Sequence, residues 1–201
     1  MADIALLLAA GASSRMRGRD KLMELVDGTP LVARQAALAA SVVPHVLVAL
    51  PPAPHPRHAA LDGLDVTRLS LPDSAEGMGG TLRGAVARLP ADCTGLLLLL
   101  GDLPEITAED LRAVLAARRT HPQARIWRGA TEDGAPGHPI LFAPDTFPDF
   151  ARLSGDAGGQ SVIARHRDHL HLVPLPGTRA RRDLDTPEDW AAWRDMRSQT
   201  P

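Results

Sequence analysis

The sequence predicts an α/β fold in which helices cover both faces of a mostly parallel β-sheet. Apolar strand-like runs alternate with amphipathic helical segments along most of the chain. Residues 4–10 and 95–100 are apolar at nearly every position, which is typical of strands buried on both faces. The 201 residues, 44% of them hydrophobic, are enough for one sizeable core. We therefore expect a single domain over residues 1–201.

The first part of the chain is expected to hold four strands and three helices. The predicted strands are residues 4–10, 45–50, 65–71 and 95–100, and the predicted helices are 30–43, 81–89 and 108–119. Pro30 suits the first turn of a helix. Thr107 is a suitable N-cap, with Asp110 three residues later. Residues 51–58, rich in Pro and His, are predicted to form an exposed loop.

The remaining chain is predicted to add three strands and two helices. The strands are residues 124–130, 138–143 and 170–175, and the helices are 161–167 and 186–196. Thr186, Pro187 and the acids after them are typical of a helix start. Ligands of such sheets bind at the carboxyl ends of strands. Residues 11–21, the glycine cluster 77–80 and Gly101-Asp102 are expected at such ends.

Composition argues against several classes of protein. Aromatic residues are only 3% and the net charge is -2, so neither stacking platforms nor a basic surface for nucleic acid is expected. Cys93, the one cysteine, is interpreted as a core residue, and no paired histidine spacing predicts zinc. No apolar run approaches the roughly 20 residues that span a bilayer, and no signal peptide is evident. We therefore expect a cytoplasmic protein without a membrane partner.

The loop after the first strand has the chemistry of a phosphate site. Backbone N–H groups of the small residues Gly11, Ala12, Ser13 and Ser14 can form an anion-binding nest. Two cations of the same loop, Arg15 and Lys21, suit a triphosphate. The spacing matches neither a Walker A motif nor the dinucleotide fingerprint. A solvated basic loop is the alternative.

Carboxylates suited to Mg²⁺ follow the most apolar strand and precede the last helix. Asp102 ends the run 95–100, where an unpaired charge is costly, and Mg²⁺ commonly uses one or two carboxylates plus phosphates. Asp185 is a candidate second ligand and Asp183 a weaker one; capping of a neighbouring helix is the alternative for both sites. Arg179, Arg181 and Arg182 form a basic cluster nearby, typical of solvated surface and compatible with an anionic acceptor.

Five ordered segments resemble the MobA-like NTP transferases. They are LLLAAGASSRMRGRDK, EGMGGTLRGAV, LLGDLPEIT, GHPILF and DLDTPEDW, and together they extend from Leu6 to Trp190. The first segment matches the family signature at Ala9, Ala10, Gly11, Ser13, Arg15, Met16 and Lys21. It departs from the signature by one additional residue between Met16 and Lys21. A second departure is Gln160, where the family has an arginine.

The resemblance implies a three-layer αβα, Rossmann-like nucleotidyltransferase fold and a set of roles. Arg15 and Lys21 would bind the phosphates, and Asp102 would bind Mg²⁺. Backbone groups of Ala9 and Ala10 would contact the base. The glycine cluster, through Gly77, Met78, Gly79 and Thr81, would lie near the base and ribose, with a simple turn as the alternative. His138 would face the acceptor, although a structural histidine is the more common case.

The implied reaction is transfer of a nucleotide to a phosphorylated acceptor, with release of pyrophosphate. The Ala-Ala-Gly of the first loop and the GHP and DLDTPED segments look most like molybdopterin cytidylyltransferases, which favours CTP. The guanylyltransferase branch usually has Ala-Gly-Gly. Alternatives are a sugar phosphate or other small phosphate as acceptor, and a non-catalytic nucleotide sensor or chaperone of a molybdoenzyme. A dinucleotide-dependent oxidoreductase is disfavoured by the missing glycine fingerprint.

Overall fold

A seven-stranded sheet forms the centre of the computed structural model, which describes residues 2–71, 76–156 and 158–199. The strands are β1 (Ala2–Leu8), β2 (Leu25–Val26), β3 (Thr29–Pro30), β4 (His45–Leu50), β5 (Thr67–Ser70), β6 (Cys93–Leu100), β7 (Ile126–Ala130), β8 (Pro136–Phe142) and β9 (Leu170–Pro174). The helices are α1 (Leu31–Ala40), α2 (Pro56–Ala59), α3 (Met78–Val86), α4 (Ala108–Thr120), α5 (Phe147–Phe150), α6 (Gln160–Arg165) and α7 (Pro187–Ser198).

The sheet has the order β5-β4-β1-β6-β8-β7-β9 and is mostly parallel, as predicted. Only β8 runs antiparallel to its neighbours, β6 and β7. The carboxyl ends of β1 and β6 lie side by side, because Leu8 pairs with Leu100. The loops that follow these two strands therefore meet at one edge of the sheet.

Apolar layers cover both faces of the sheet and confirm the three-layer architecture. On one face, Leu7, Leu97 and Leu99 pack in a cluster with residues of α1, α4 and α7. On the other face, Leu6, Leu96 and Leu98 pack in a cluster with residues of α3, α5 and α6. Successive residues of a strand point to opposite faces, so an uninterrupted apolar run serves both layers.

Local features that differ from the sequence predictions include the start of α3, a short hairpin and the burial of Arg57. Helix α3 begins at Met78, three residues earlier than predicted, because Gly77 (φ +104°) forms its N-cap. A short hairpin of β2 and β3, turned at Asp27 and Gly28 with positive φ, was not predicted. The prediction of an exposed loop over residues 51–58 was wrong at its end, since Arg57 in α2 is buried.

Two helix caps and the burial of Cys93 agree with the sequence predictions. Thr107 and Thr186 each cap a helix through a capping box, with Asp110 and Asp189 as the reciprocal acids. Cys93 is buried, as its interpretation as a core residue requires. Within the described residues, no helix is long and apolar enough to cross a membrane.

Candidate active site

A cleft of about 590 Å³ opens where β1 and β6 end. One wall is the loop after β1, another is the start of α3, and the segment before α7 closes the third side. Its lining comprises Leu8, Ala10, Gly11, Ala12, Arg15, Lys21, Leu22, Gly77, Met78, Thr81, Leu100, Gly101, Asp102, Asp156, Asp183 and Asp185. The structure thus brings together most of the predicted site residues, which come from four distant parts of the sequence.

The loop after β1 turns sharply twice before it reaches Lys21. Ser13 (φ +52°) precedes a 3-10 turn over Ser14–Met16, and Arg17 (φ +53°) and Gly18 (φ +86°) follow it. The two left-handed residues after Met16 form a compact turn, which accommodates the additional residue of this loop. Asp20 then accepts a hydrogen bond from the backbone N–H of Leu22 and caps the turn at Lys21–Met23.

A buried arginine holds this loop in place. The guanidinium of Arg57 donates to both carboxylate oxygens of Asp20, at 2.7 and 2.6 Å, and to the carbonyl of Ala9 at 2.6 Å. It also donates to the hydroxyl of Ser13 at 3.0 Å. Burial of Asp20 raises its pKa, but the ion pair and hydrogen bonds with Arg57 outweigh burial, so the pKa lies below its ordinary value. Arg57 was not predicted as a site residue, and its buried ion pair is evident only in the folded chain.

Lys21 joins the two carboxylates predicted to bind metal. Its Nζ lies 2.5 Å from Oδ2 of Asp102 and 2.7 Å from Oδ1 of Asp185. Burial lowers the pKa of Lys21, but the two carboxylates, Asp102 first, raise it above its ordinary value. The ammonium is therefore charged at neutral pH and lies on the floor of the cleft.

Arg15 extends the same ionic network toward solvent. Its guanidinium lies 2.8 Å from Oδ2 of Asp185 and is largely exposed. Burial raises the pKa of Asp185, but Lys21 and then Arg15 outweigh it and hold this pKa below its ordinary value. For the neighbouring Asp183, burial and the charge of Asp185 raise the pKa. Arg15 and Lys21 thus lie in the cleft with Asp102, Asp183 and Asp185, an arrangement that can exchange partners with an anionic ligand and a divalent cation.

The donor set at Asp102 fits a hard divalent cation. Its Oδ1 is buried and has no hydrogen-bond partner, an unfavourable state for a carboxylate oxygen. Asp185 lies across Lys21 from it, so two carboxylates are available, which is the number that Mg²⁺ commonly uses with phosphate oxygens. In the part of the chain that the structure describes, no group of three or more His, Cys, Asp or Glu side chains is already arranged around a metal position. Asp102 and Asp185 would hold the ion together with ligand phosphates.

The glycine cluster contributes both lining and packing. Gly77, Met78 and Thr81 line the cleft. Gly79 does not; its backbone N–H donates to the carbonyl of Gly155 at 2.7 Å, and a Cβ there would lie 2.8 Å from backbone atoms of Ser154 and Gly155. Gly79 therefore lets the loop 154–156 approach α3, and this loop brings the cleft residue Asp156, which was not predicted from the sequence.

Within the first loop, the predicted residues have different environments. Ala10, Gly11 and Ala12 line the cleft. Ala9 is buried, and its N–H and C=O are bonded to Ala49 and Arg57. The hydroxyl of Ser13 donates to Asp20 and accepts from the backbone N–H of Lys21. Ser13 thus stabilises the loop from within.

Two further predicted residues lie outside the cleft lining. Ser14 is exposed at the start of the 3-10 turn. His138, at the start of β8, lies near Gln35, Leu103 and Ile106. Its Nδ1 is buried without a partner, and burial followed by the charge of Arg128 lowers its pKa to about 4. His138 is therefore neutral at physiological pH.

The chain is similar in sequence to several known proteins. Residues 5–170 match the MobA-like NTP transferase domain. The chain is 31% identical over 177 residues to the bifunctional protein GlmU of Micrococcus luteus, which covers 82% of this chain. The chain spans about a third of the length of that relative.

Other relatives match along nearly their whole length. The chain is 34% identical over 199 residues to a probable molybdenum cofactor guanylyltransferase of Synechococcus elongatus, covering 94% of this chain and 97% of the relative. The crystal structure of Rv0371c from Mycobacterium tuberculosis H37Rv superposes with a TM-score of 0.80 at 27% identity, covering 97% of this chain and 99% of that one. A second structure of Rv0371c is a complex with manganese. The chain therefore belongs to the MobA-like NTP transferase family.

Proposed function

We propose that the chain transfers CMP from CTP to the phosphate of molybdopterin and releases pyrophosphate in a Mg²⁺-dependent reaction. The observation that carries the proposal is the meeting of Arg15 and Lys21 with Asp102 and Asp185 at one end of the cleft. This constellation offers cations for a triphosphate and hard oxygen ligands for the metal that accompanies it.

The chemistry requires positioning and charge stabilisation. An oxygen of the acceptor phosphate forms a bond to the α-phosphorus of the nucleotide, and the bond from that phosphorus to the bridging β-phosphate oxygen breaks. Because the attacking phosphate is already ionised, no general base is needed. The backbone N–H groups of the loop after β1, with Arg15 and Lys21, bind the phosphates and stabilise the charge that develops on pyrophosphate. A divalent cation on Asp102 and Asp185 supplies additional neutralisation when it is bound.

The preference for CTP rests on Ala10. This residue lines the cleft at the position where the guanylyltransferase branch usually has glycine, and it adds a methyl group there. The methyl group reduces the space beside the base, which favours a pyrimidine over the larger purine. GTP is the competing substrate, because relatives similar over nearly their full length are named guanylyltransferases.

The second candidate function is nucleotidyl transfer to a sugar phosphate. The match to GlmU over 82% of this chain favours it. Both candidates use the same nucleotide loop and differ in the acceptor, so the acceptor that yields product separates them.

Two measurements test the proposal. The first is thermal unfolding with CTP, GTP, UTP or ATP, each with and without Mg²⁺; a nucleotide at 100 times its Kd should add about 2.7 kcal/mol of stability. The second is pyrophosphate release from the preferred nucleotide with molybdopterin or a hexose 1-phosphate as acceptor. We expect the largest stabilisation with CTP–Mg²⁺ and release with molybdopterin. Stabilisation without release from any acceptor would instead indicate a nucleotide sensor, and no stabilisation by any nucleotide would refute the proposal.

A further inference from the structure

Arg128 is a buried cation that the candidate active site does not use. It lies in the middle of β7, a strand whose five residues are all buried, and only 9% of its surface is exposed. Its Nε donates to the carbonyl of Gly137 at 2.9 Å. Among the residues that the structure describes, none places a carboxylate within 4.0 Å of this guanidinium. A buried charge without a counter-ion is costly in free energy, so the environment of Arg128 favours an anionic ligand.

A nearby positive charge further favours an anionic ligand at Arg128. Burial and then the like charge of Arg181 lower the pKa of Arg128, although an arginine stays protonated at neutral pH. Arg181 is exposed in the turn before α7, where its charge also acts on Asp133, which is hydrogen-bonded to Thr131. The like charges of Arg128 and Arg181 are thus close enough to interact, and Asp133 is a carboxylate near Arg181.

The strand pairing shows how far Arg128 lies from the strands that end at the cleft. Arg128 pairs with Ile140 of β8, and Ile140 pairs with Leu98 of β6, so these side chains lie on one face of the sheet. Leu8 of β1 packs against the same apolar cluster as Leu98 and Ile140, and it lines the cleft. Neighbouring strands lie about 4.8 Å apart, which places β7 roughly 10 Å from β6.

The guanidinium extends toward the edge of the sheet at which β6 and β7 end. The hydrogen bond from Nε to Gly137 extends it from β7 over the start of β8, the strand that separates β7 from β6. The pKa of His138, the next residue, is lowered by Arg128 and raised by Asp102, which places His138 within range of both charges. Arg128 and Asp102 thus both lie within electrostatic range of the residue that follows Gly137.

We propose that Arg128, with Arg181 as a second cation, binds the phosphate monoester of the acceptor on the side of the cleft opposite the nucleotide loop. This inference rests on the proposed function, in which that phosphate is the attacking group. The phosphate carries negative charge toward an α-phosphate that is also anionic. Cations on the acceptor side reduce this repulsion and fix the direction of attack, while Arg15 and Lys21 act on the departing pyrophosphate.

Binding of inorganic phosphate tests the subsite directly. Phosphate is titrated calorimetrically into the full chain with and without saturating CTP–Mg²⁺, because the nucleotide blocks phosphate binding to the loop after β1. The variant Arg128→Gln removes the charge and keeps an amide donor for Gly137. We expect this variant to bind phosphate at least about tenfold more weakly than the wild type does. Arg128→Lys and Arg181→Gln should lose less affinity than Arg128→Gln. Arg119→Gln, on the exposed surface of α4, is the matched control and should bind phosphate like the wild type.

Kinetics then separates an acceptor-binding role from a structural one. For Arg128→Gln we expect the KM for the acceptor to rise about tenfold while the KM for CTP stays unchanged. Equal phosphate affinity of Arg128→Gln and the wild type, or no saturable phosphate binding by the wild type, would overturn the subsite. Should Arg128→Gln not fold, unchanged affinity in Arg181→Gln and Arg128→Lys would overturn it. Arg128-dependent phosphate binding without any nucleotide binding would support the subsite and refute the proposed function.

Discussion

Lys21 donates from Nζ to Oδ2 of Asp102 across 2.5 Å, although 81 residues separate them in the chain. The same ammonium contacts Asp185, a further 83 residues along. A single cation thus holds together the two carboxylates proposed to bind a metal, in a cleft lined by the loop proposed to bind phosphates. Ligand binding must replace part of this network, because Lys21 would then share its bonds with phosphate oxygens.

Removing the charge of Asp102 should abolish catalysis and preserve the fold. Asp102→Asn keeps the size of the side chain and leaves Lys21 paired with Asp185. We expect pyrophosphate release to fall by a factor of about 10² to 10³ or more, the scale for loss of one preorganised electrostatic group. The measurement is initial rate at saturating nucleotide, with the far-UV circular dichroism as a control for folding. Asp62→Asn, at an exposed ion pair with Arg68, should retain the wild-type rate, and a fully active Asp102→Asn would remove this residue from the mechanism.

Loss of Arg57 should destabilise the fold. Arg57→Ala leaves Asp20 and the carbonyl of Ala9 without their partner inside the protein. We expect the free energy of unfolding to fall by about 3 kcal/mol, at the lower end for breaking a buried ion pair. Arg68→Ala, which breaks an ion pair with the exposed Asp62, should cost at most about 1 kcal/mol. Urea denaturation of both variants measures the difference. Equal losses in the free energy of unfolding would show that the ion pair of Arg57 stabilises the fold no more than an exposed ion pair does.

Two glycine variants should separate nucleotide binding from packing. At Gly11 an added Cβ meets no atom within 4 Å, so Gly11→Ala should fold normally and bind the nucleotide about tenfold more weakly, because the methyl group obstructs the phosphates. At Gly79 the Cβ would lie 2.8 Å from backbone atoms of Ser154 and Gly155, so Gly79→Ala should lose about 1–3 kcal/mol of stability. Thermal unfolding with and without CTP–Mg²⁺ reports both effects. A Gly11→Ala variant with unchanged affinity would argue against phosphate binding at this loop.

Ala10→Gly should reduce discrimination between CTP and GTP. Removing the methyl group enlarges the cleft where the base is proposed to bind, and a change of one methyl group in such a pocket alters selectivity by about tenfold or more. Ala12→Gly removes a methyl group from the same loop and is the matched control. The ratio of kcat/KM for the two nucleotides is the quantity to compare. If this ratio is the same in Ala10→Gly as in the wild type, base selection lies elsewhere in the cleft.

His138 should make the chain less stable in acid. Its pKa is about 4 in the folded chain against 6.5 ordinarily, so the unfolded state binds more protons between these two values. The stability that the neutral ring supports is fully present above about pH 6.5 and is lost as the pH falls toward 4, by at most about 3 kcal/mol. We expect His138→Gln to lose less stability between pH 7 and about pH 4.5 than the wild type does. His45→Gln, at an exposed position, should show the wild-type loss, and parallel curves for all three proteins would contradict the assignment.

The site could be predicted from sequence where its signal is local. Gly11 and its small neighbours directly follow an apolar strand, and Asp102 directly follows another, so both could be assigned to the ligand-binding edge of a parallel sheet. The start of α7 could also be predicted from the sequence, because its capping box lies within four residues. The position of Lys21 could not be predicted in this way, because the additional residue in its loop is accommodated by positive φ angles that no residue pattern specifies.

What the sequence by itself determined is therefore the class of fold and the position of the loops at the carboxyl ends of its strands, because strand periodicity and loop composition depend on neighbouring residues. The tertiary structure decided which distant groups meet: Arg57 with Asp20, Lys21 with Asp185, and Asp156 with the glycine cluster. It also decided the reversed direction of β8 and the burial of Arg128 without a counter-ion among the described residues. These relationships depend on how the strands and loops pack, and the free energy of a buried charge depends on everything around it.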